Sequence, residues 1–233
     1  MLLVSLLKNV IFRTVSFLNW IVVGLKLRPS GAGSRYYLFR ARVERGNACT
    51  FSQVNFCKVD LQIRGHSNAV TFSQSLVDGC RILIDGTSNR LEVAEDVILR
   101  GVTIQIRGSA CSVRIGRAST FGGARIVTVG KMNHVIIGED CLFSDQIEIW
   151  SSDTHDIIGG AGNVINPPRD IIIGNHVWVG AKASILKGVT IGDGSVIGFG
   201  SIITKNVPAG VACAGCPQKV LKTNIAWRRD EER

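Results

Sequence analysis

Between residues 173 and 208 the chain reads IGNHVW (173–178), VGAKAS (179–184), ILKGVT (185–190), IGDGSV (191–196), IGFGSI (197–202) and ITKNVP (203–208), six hexads in unbroken register. An α-helix has no period of six. Position one is Ile or Val throughout, at 173, 179, 185, 191, 197 and 203. Position two is Gly in four of the six, and position five is small or β-branched, as Val177, Ala183, Val189, Ser195, Ser201 and Val207. Such a repeat describes short strands joined by tight turns. Each places one branched side chain inward and a small residue near a corner, and the turns stack into a parallel β-helix. The fold class is all-β, a solenoid.

Upstream the period changes while the repetition persists. Four segments open alike, Gly65-His-Ser-Asn-Ala-Val, Gly86-Thr-Ser-Asn-Arg-Leu, Gly108-Ser-Ala-Cys-Ser-Val and Gly130-Lys-Met-Asn-His-Val, at spacings of 21, 22 and 22. Each shows a second apolar residue two positions on, at Phe72, Val93, Ile115 and Ile137. The spacing predicts a coil of three hexads plus about four residues bulging at a corner, with Asn68, Asn89 and Asn133 tolerating the turn backbone. A looser segment, Gly46 to Ile63, is expected to form the first coil. The register continues through Ile137, Phe143 and Ile149 to His155, where it breaks into a Gly- and Pro-containing excursion from Asp156 to Pro168. A loop that interrupts a rigid repeat is a place for function.

Composition suits one repeat array. The chain has 233 residues, 45% hydrophobic, with 26 Gly and 5 Pro, enough to bury a substantial core. Aromatics are scarce, as expected if a narrow coil interior takes Val and Ile rather than rings. The formal charge is +9, from Lys and Arg scattered through the coils with no nucleic-acid motif. That pattern points away from nucleic acid and toward anionic cofactors or a membrane surface. Seven cysteines, mostly single in strand-like segments, read as small buried hydrophobes in a reducing compartment. Cys213-Ala-Gly-Cys216 lacks the second pair that a zinc site needs.

Residues 1–28 differ in kind, and a helical wheel gathers Ser5, Lys8, Asn9, Arg13, Ser16, Asn19 and Lys26 on one side of a wide apolar surface. Lys8 and Arg13 interrupt the run short of the ~20 apolar residues a spanning helix needs, and no secretory cleavage site is evident. Residues 1–30 are therefore expected to form an amphipathic helix. It serves either as a cap over the open first coil or as a segment lying in a membrane surface with its cations at the headgroups. Residues 31–215 are assigned to the β-helix, with an active-site loop at 155–172, and residues 216–233 to a C-terminal extension.

Val177-Trp-Val-Gly-Ala, Ile191-Gly-Asp-Gly-Ser-Val-Ile-Gly-Phe-Gly-Ser, Thr204-Lys-Asn-Val-Pro and Ala214-Gly-Cys-Pro-Gln-Lys together resemble the C-terminal half of hexapeptide-repeat acyltransferases, in the sugar and polysaccharide O-acetyltransferase branch. The strong match covers about residues 130 to 222. The resemblance implies a left-handed parallel β-helix, an exception to the usual crossover hand, and a homotrimer with acetyl-CoA between neighbouring helices. It also implies that His155 is the catalytic histidine and that Trp178 lines the acetyl and pantetheine region. Ala181 and Phe199 fall on turn positions that meet the pantetheine arm. Thr204, Lys205, Lys219 and Lys222 fall where the nucleotide end is met. Phe199 stands where a small residue is common, and Cys216 and Gln218 replace the common Asn and Ala. Lys stands at 219 and 222 where some members have Arg, giving charge without a bidentate fork.

The chemistry gives one histidine an independent reason. A sugar hydroxyl needs a base near pKa 7 within hydrogen-bond reach, which imidazole offers, and a thioester needs no metal for activation. Asp153, Asp156 and Glu148 are candidates to orient the ring. Ser151, Ser152, Asp153 and His155 contain triad residue types without triad geometry. His134, His155 and His176 recur at equal intervals of three and a half hexads, so they fall out of phase as metal ligands and no metal is expected. The expected function is acetyl-CoA-dependent O-acetylation of a sugar in a surface polysaccharide, glycolipid or precursor. The expected location is cytoplasmic, peripheral on the inner face of the plasma membrane. N-acetylation of an amino sugar on a nucleotide-linked donor and a catalytically silent scaffold are the alternatives.

Overall fold

The computed structural model describes residues 34–229. The expectations for an amphipathic helix and a membrane surface at residues 1–28 lie outside them. Among the described residues there is no helix, and the strands form three sheets that wrap one core. The first sheet begins with Arg35–Tyr37, Asn55–Cys57 and Leu76–Asp78, the second with Arg40–Val43, Asp60–His66 and Arg81–Thr87, and the third with Ala48–Phe51, Ala69–Phe72 and Arg90–Val93. Apart from the last pair of the first sheet, each neighbour in a sheet is the strand one coil further along, paired in parallel. One pass of the chain lays down one strand on each face. The first coil opens at Arg35, earlier than the segment 46–63 expected from sequence.

In the hexad region the expected register is observed. Ile173, Val179, Ile185, Ile191, Ile197 and Ile203 point inward and are buried, as are the position-five residues from Val177 to Val207. The glycines at position two have a different cause from turn conformation. A Cβ at Gly192 would lie 2.4 Å from the Ala209 nitrogen, and one at Gly180 would lie 2.8 Å from the Phe199 nitrogen. The adjacent coil passes too close for any side chain.

The longer coils correct two expectations. Ile98 pairs with Thr120, whereas Trp178 pairs with Val196, so an upstream coil takes a longer step than the three hexads of a downstream one. The added residues extend the second-sheet strand rather than bulge at a corner. Asp60–His66, Arg81–Thr87 and Thr103–Ser109 have seven residues each, and Ser184–Leu186 has three. Lengthening the strand keeps each added N–H and C=O in the ladder, which a bulge would not. At the end of these strands Gly65, Gly86, Gly108 and Gly130 stack directly, and a Cβ on Gly108 would lie 1.8 Å from the Gly130 carbonyl oxygen.

Asn68, Asn89 and Asn133 do not carry the turn backbone either. Positive φ falls on the residue before each, Ser67, Ser88 and Met132, while the three asparagines point inward and are buried. Asn68 Nδ2 donates to the Gly86 carbonyl at 2.9 Å, and Asn68 Oδ1 accepts the Asn89 N–H at 2.9 Å. Asn89 repeats both bonds to Gly108 and Cys111. A buried amide that both donates to and accepts from the next coil fixes coil spacing.

The longer strand also widens the interior. Phe39, Phe51, Phe56, Phe72, Phe121 and Phe143 lie in the core, and Phe121 and Phe143 stack with centroids 4.3 Å apart. Rings are admitted wherever coils are wide, contrary to the expectation of an interior too narrow for them. None lies inside the strict hexad coils.

At the C-terminal end Lys219–Thr223 turns back antiparallel to Val211–Ala214 and ends the ladder. The chain then climbs the corner between the third and first sheets, from Ile225, bonded to the Gly210 carbonyl, to Arg229. Trp227 stacks on His176 with ring centroids 4.1 Å apart, and its Nε1 donates to the His176 carbonyl at 2.8 Å. Arg229 donates to Thr120 Oγ1 and to the carbonyls of Ala118 and Cys141, and pairs with Asp140.

Candidate active site

The excursion leaves the solenoid at the corner between the second and third sheets, after Ile147–Trp150 and before Ile171–Ile173. Ser151 and Ser152 are buried at its root, and Arg169 N donates to the Ser151 carbonyl at 3.0 Å, closing the neck. One coil beyond the end of the asparagine ladder at Cys111, Asn133 takes the loop root as its partner. Asn133 Nδ2 donates to the carbonyl and Oγ of Ser151, while its buried Oδ1 has no partner. The far end is a small hairpin, with an antiparallel bridge between Ile158 and Val164 and a turn closed by Gly159 N to the Asn163 carbonyl. Ile157, Ile158, Val164 and Ile165 are exposed on it.

His155 lies on the outgoing arm of this loop and is exposed. The residue before it, Thr154, has φ +66°, and its N–H donates to Ser152 Oγ at 3.0 Å. Asn166, on the returning arm, holds the backbone at and just beyond His155. Its Nδ2 donates to the His155 carbonyl at 2.9 Å and its Oδ1 accepts the Ile157 N–H at 2.6 Å. The same amide group donates to Asp153 Oδ2 at 2.8 Å, and Lys187 Nζ reaches Asp153 Oδ2 at 2.5 Å and the Asn166 carbonyl at 2.8 Å. The Lys187 ammonium, and after it the Asn166 bond, hold the Asp153 carboxyl below the ordinary aspartate pKa, against the opposing effect of burial.

None of the three carboxylates expected to orient the imidazole bonds to it within the chain. Asp153 is engaged by Lys187 and Asn166, Asp156 is exposed, and Glu148 Oε2 accepts from Trp150 Nε1 at 2.6 Å. Of the other histidines, His134 borders the return of the loop, its backbone N–H donating to Asp170 Oδ1 at 2.7 Å, and His176 stands apart from it. His134 Nδ1 lies 2.8 Å from Ser112 Oγ, and His176 bridges Asp140 and the Trp227 carbonyl. His176 is a corner residue beneath the returning tail.

The residues expected to meet the acyl donor fall into two groups. Trp178 is partly exposed at the start of its first-sheet strand, 6.0 Å between centroids from Trp227. Ala181 and Phe199 follow at the corner between the first and second sheets, where Phe199 is 68% exposed and Lys182 Nζ lies 5.5 Å over its ring. This corner continues as an open groove past Gly123, Asp145 and Ser184. Thr204 and Lys205 lie beyond the second-sheet strand Ile202–Ile203, toward the corner that carries the His155 loop. Gln218, one of the departures from the family pattern, clasps them: its Oε1 accepts both backbone N–H groups at 2.6 and 3.0 Å, and Nε2 donates to the Lys205 carbonyl. That clasp brings Lys219 beside them, with Lys222 further along the terminal strand. His155 and Trp178 sit at different corners, with the third sheet between them.

Lys187, Asn166, Trp227 and Arg229 were absent from the residues singled out in the sequence. Lys187 occupies position three of its hexad, and nothing local marks it as a partner of a residue 34 positions earlier.

Comparison with known proteins gives a consistent picture. The family profile described as Bacterial transferase hexapeptide (six repeats) matches residues 170–205. A polysialic acid O-acetyltransferase of Neisseria meningitidis is 33% identical over 186 residues, covering 78% of this chain and 85% of the relative. A polysialic acid O-acetyltransferase of Escherichia coli O1:K1 / APEC is 37% identical over 135 residues, 58% of this chain and 43% of the relative's length. Among solved structures, the polySia-specific acetyltransferase NeuO superposes with a TM-score of 0.74 at 33% identity, covering 81% of each chain. The polysialic acid O-acetyltransferase OatWY superposes with a TM-score of 0.71 at 28% identity, covering 85% of this chain and 92% of that one. With five of the six hexads inside the matched profile and the solenoid shared along most of its length, the chain belongs to the hexapeptide-repeat acyltransferases, enzymes of left-handed β-helix fold.

Proposed function

We propose that this enzyme transfers an acetyl group from acetyl-CoA to a hydroxyl of a surface polysaccharide, with a sialic-acid polymer as the acceptor class. The observation that carries the reading is His155. It is an exposed imidazole on a backbone pinned at its own carbonyl and at the Ile157 N–H, on the single long excursion from the solenoid among the described residues. In this reading the imidazole takes the hydroxyl proton, the oxygen attacks the thioester carbonyl, and the proton passes to the departing CoA sulfur. The names of the relatives and the basic charge of +9, suited to a polyanion, support the acceptor class.

The two groups of candidate residues occupy different corners of one chain, so a complete site takes His155 from one subunit and Trp178, Ala181 and Phe199 from a neighbour. Thr204, Lys205, Lys219 and Lys222 are the proposed contacts of the nucleotide end. A heterologous contact that closes on itself gives a ring, here a homotrimer. The four exposed branched residues of the loop hairpin support such a contact. The reading also places the protein in the cytoplasm, attached to the membrane surface through residues 1–28. The first coil is complete from Arg35, so a chain starting at Ser34 is expected to stay folded and to lose co-sedimentation with anionic vesicles. Unchanged sedimentation of that shortened chain removes the attachment from the proposal.

The deciding experiment for catalysis is His155→Ala, assayed with acetyl-CoA and polysialic acid. The rate is expected to fall about 10²–10⁴-fold while acetyl-CoA binding persists. A near-wild-type rate with donor binding intact overturns the mechanism. An acetylated product stable to mild base would instead identify N-acetylation, and absence of acetyl-CoA binding would identify a scaffold.

A further inference from the structure

We propose that Asn166, Asp153 and Lys187 form a positioning clamp that fixes the His155 imidazole by anchoring its loop to the hexad coils. This inference rests on His155 as the general base and goes beyond it by naming what holds that base in place.

The hydrogen bonds of Asn166 are all directed to this one task. Its amide group donates to Asp153 and to the His155 carbonyl, its Oδ1 accepts from Ile157 N, and its own carbonyl accepts from Lys187. The backbone is thereby gripped immediately at and two residues beyond His155. No bond of the clamp uses the imidazole, which is left free to meet a substrate. Asp153 lies two residues before His155, so the clamp holds both ends of the turn that Thr154 initiates with φ +66°.

Lys187 provides the fixed point. It belongs to the coil next to the loop, where Ser184–Leu186 is paired on both sides by Ile147–Trp150 and Ile202–Ile203. Its side chain is only 19% exposed, so it reaches the loop as a largely buried post rather than a freely moving surface charge. A charge-assisted bond to a carboxylate in this setting is stronger and more directional than a neutral one. The loop tip, with its exposed branched residues, supplies no comparable anchor within the described residues.

Three variants of the full-length protein test the clamp: Lys187→Met, Lys187→Arg and Asn166→Ala. Asn166 lies wholly within the loop, so its replacement leaves the coils able to fold even if Lys187→Met does not. Lys187→Met and Asn166→Ala are each expected to lower kcat about 10- to 100-fold, the scale of a displacement near ~1 Å at a reacting group, with the KM for acetyl-CoA within twofold. Lys187→Arg is expected to recover most of the loss. Because the clamp acts through His155, adding Lys187→Met to His155→Ala is expected to cost nothing further. Wild-type kcat in Asn166→Ala, or a full additional loss in the double variant, overturns the clamp. Amide order parameters of residues 154–157 give a readout independent of the acceptor. They are expected to fall from rigid values near ~0.85 to below ~0.6 in Asn166→Ala, and unchanged values overturn the proposal. A His155→Ala protein of full activity would instead sink the catalytic reading, a result separate from all of these.

Discussion

The wide coils before the loop and the strict hexad coils after it solve one stacking problem with different chemistry. In the hexad region the chain comes so close to its neighbour that four of the six position-two residues are glycine, and branched aliphatics with the small residues Ala183, Ser195 and Ser201 fill a narrow core. In the wide region a seven-residue strand opens the interior to phenylalanine, and a buried Asn ladder holds the corner. Apolar packing tolerates small changes of spacing, whereas a two-way amide bond does not. The wide coils are the part of the molecule where a polar residue sets the pitch; that ladder ends on the Cys111 N–H, and Asn133, one coil further, bonds the root of the loop instead.

That contrast is most severely tested by Gly108→Ala. The new Cβ would meet the Gly130 carbonyl oxygen at 1.8 Å from a residue with φ +131°. The backbone on both sides of the contact belongs to paired strands. A loss of about 3–5 kcal/mol is expected from the overpacking and the strain together, read by chemical denaturation. A stable, cooperative Gly108→Ala protein would show that the coils can separate locally. Asn89→Ala comes next. It leaves the buried Cys111 N–H and Gly108 carbonyl without their side-chain partner, which should cost about 2–4 kcal/mol, whereas Asn133→Ala should cost less because its Oδ1 is already unpartnered. Equal losses at both positions would refute the ladder as the element that fixes pitch. In the hexad coils Gly194→Ala serves as the counterpart. It has φ +67° and open space around the new Cβ, so about 1–2 kcal/mol is expected from conformation alone.

The smallest effect is in acid. Asp153 has a lowered pKa in the folded state, so the stability it gains from Lys187 is present above the ordinary aspartate pKa and is lost as pH falls through the lowered value. Thermal unfolding should therefore separate wild type from Lys187→Met at neutral pH, with the two converging in strong acid. A gap that widens on acidification would contradict the assigned ion pair.

The sequence displayed the hexad core almost completely, because a period of six with branched residues at position one admits few geometries. It was less direct about reasons. Glycine at position two resembles a turn residue in a linear reading, while its cause is the backbone of the next coil. Asparagine after a Gly-x-x segment likewise resembles a left-handed turn residue. Only its recurrence at 68, 89 and 133, with Cys111 in the coil between, understood as vertical stacking, points to a ladder. His155 stood out because it falls where the repeat breaks and because of the family resemblance. Lys187 and Asn166 did not, since their partnership with Asp153 depends on where a folded loop meets a coil. Trp227 and Arg229 meet residues more than 50 positions earlier, across a distance that no local pattern encodes.

The returning tail changes the order in which this protein can be completed. A solenoid whose coils touch only their neighbours can assemble from its N-terminal end as the ribosome delivers it. Arg229 instead closes on Thr120 and Ala118, residues made more than 100 positions earlier. The corner over Asp140 and His176 therefore stays uncovered until residues 227–229 have been made and have left the exit tunnel. A nascent chain stalled just after Thr223 would carry every described strand of the array and still lack its clasp, so quality control acting on that corner could distinguish clasped molecules from unclasped ones.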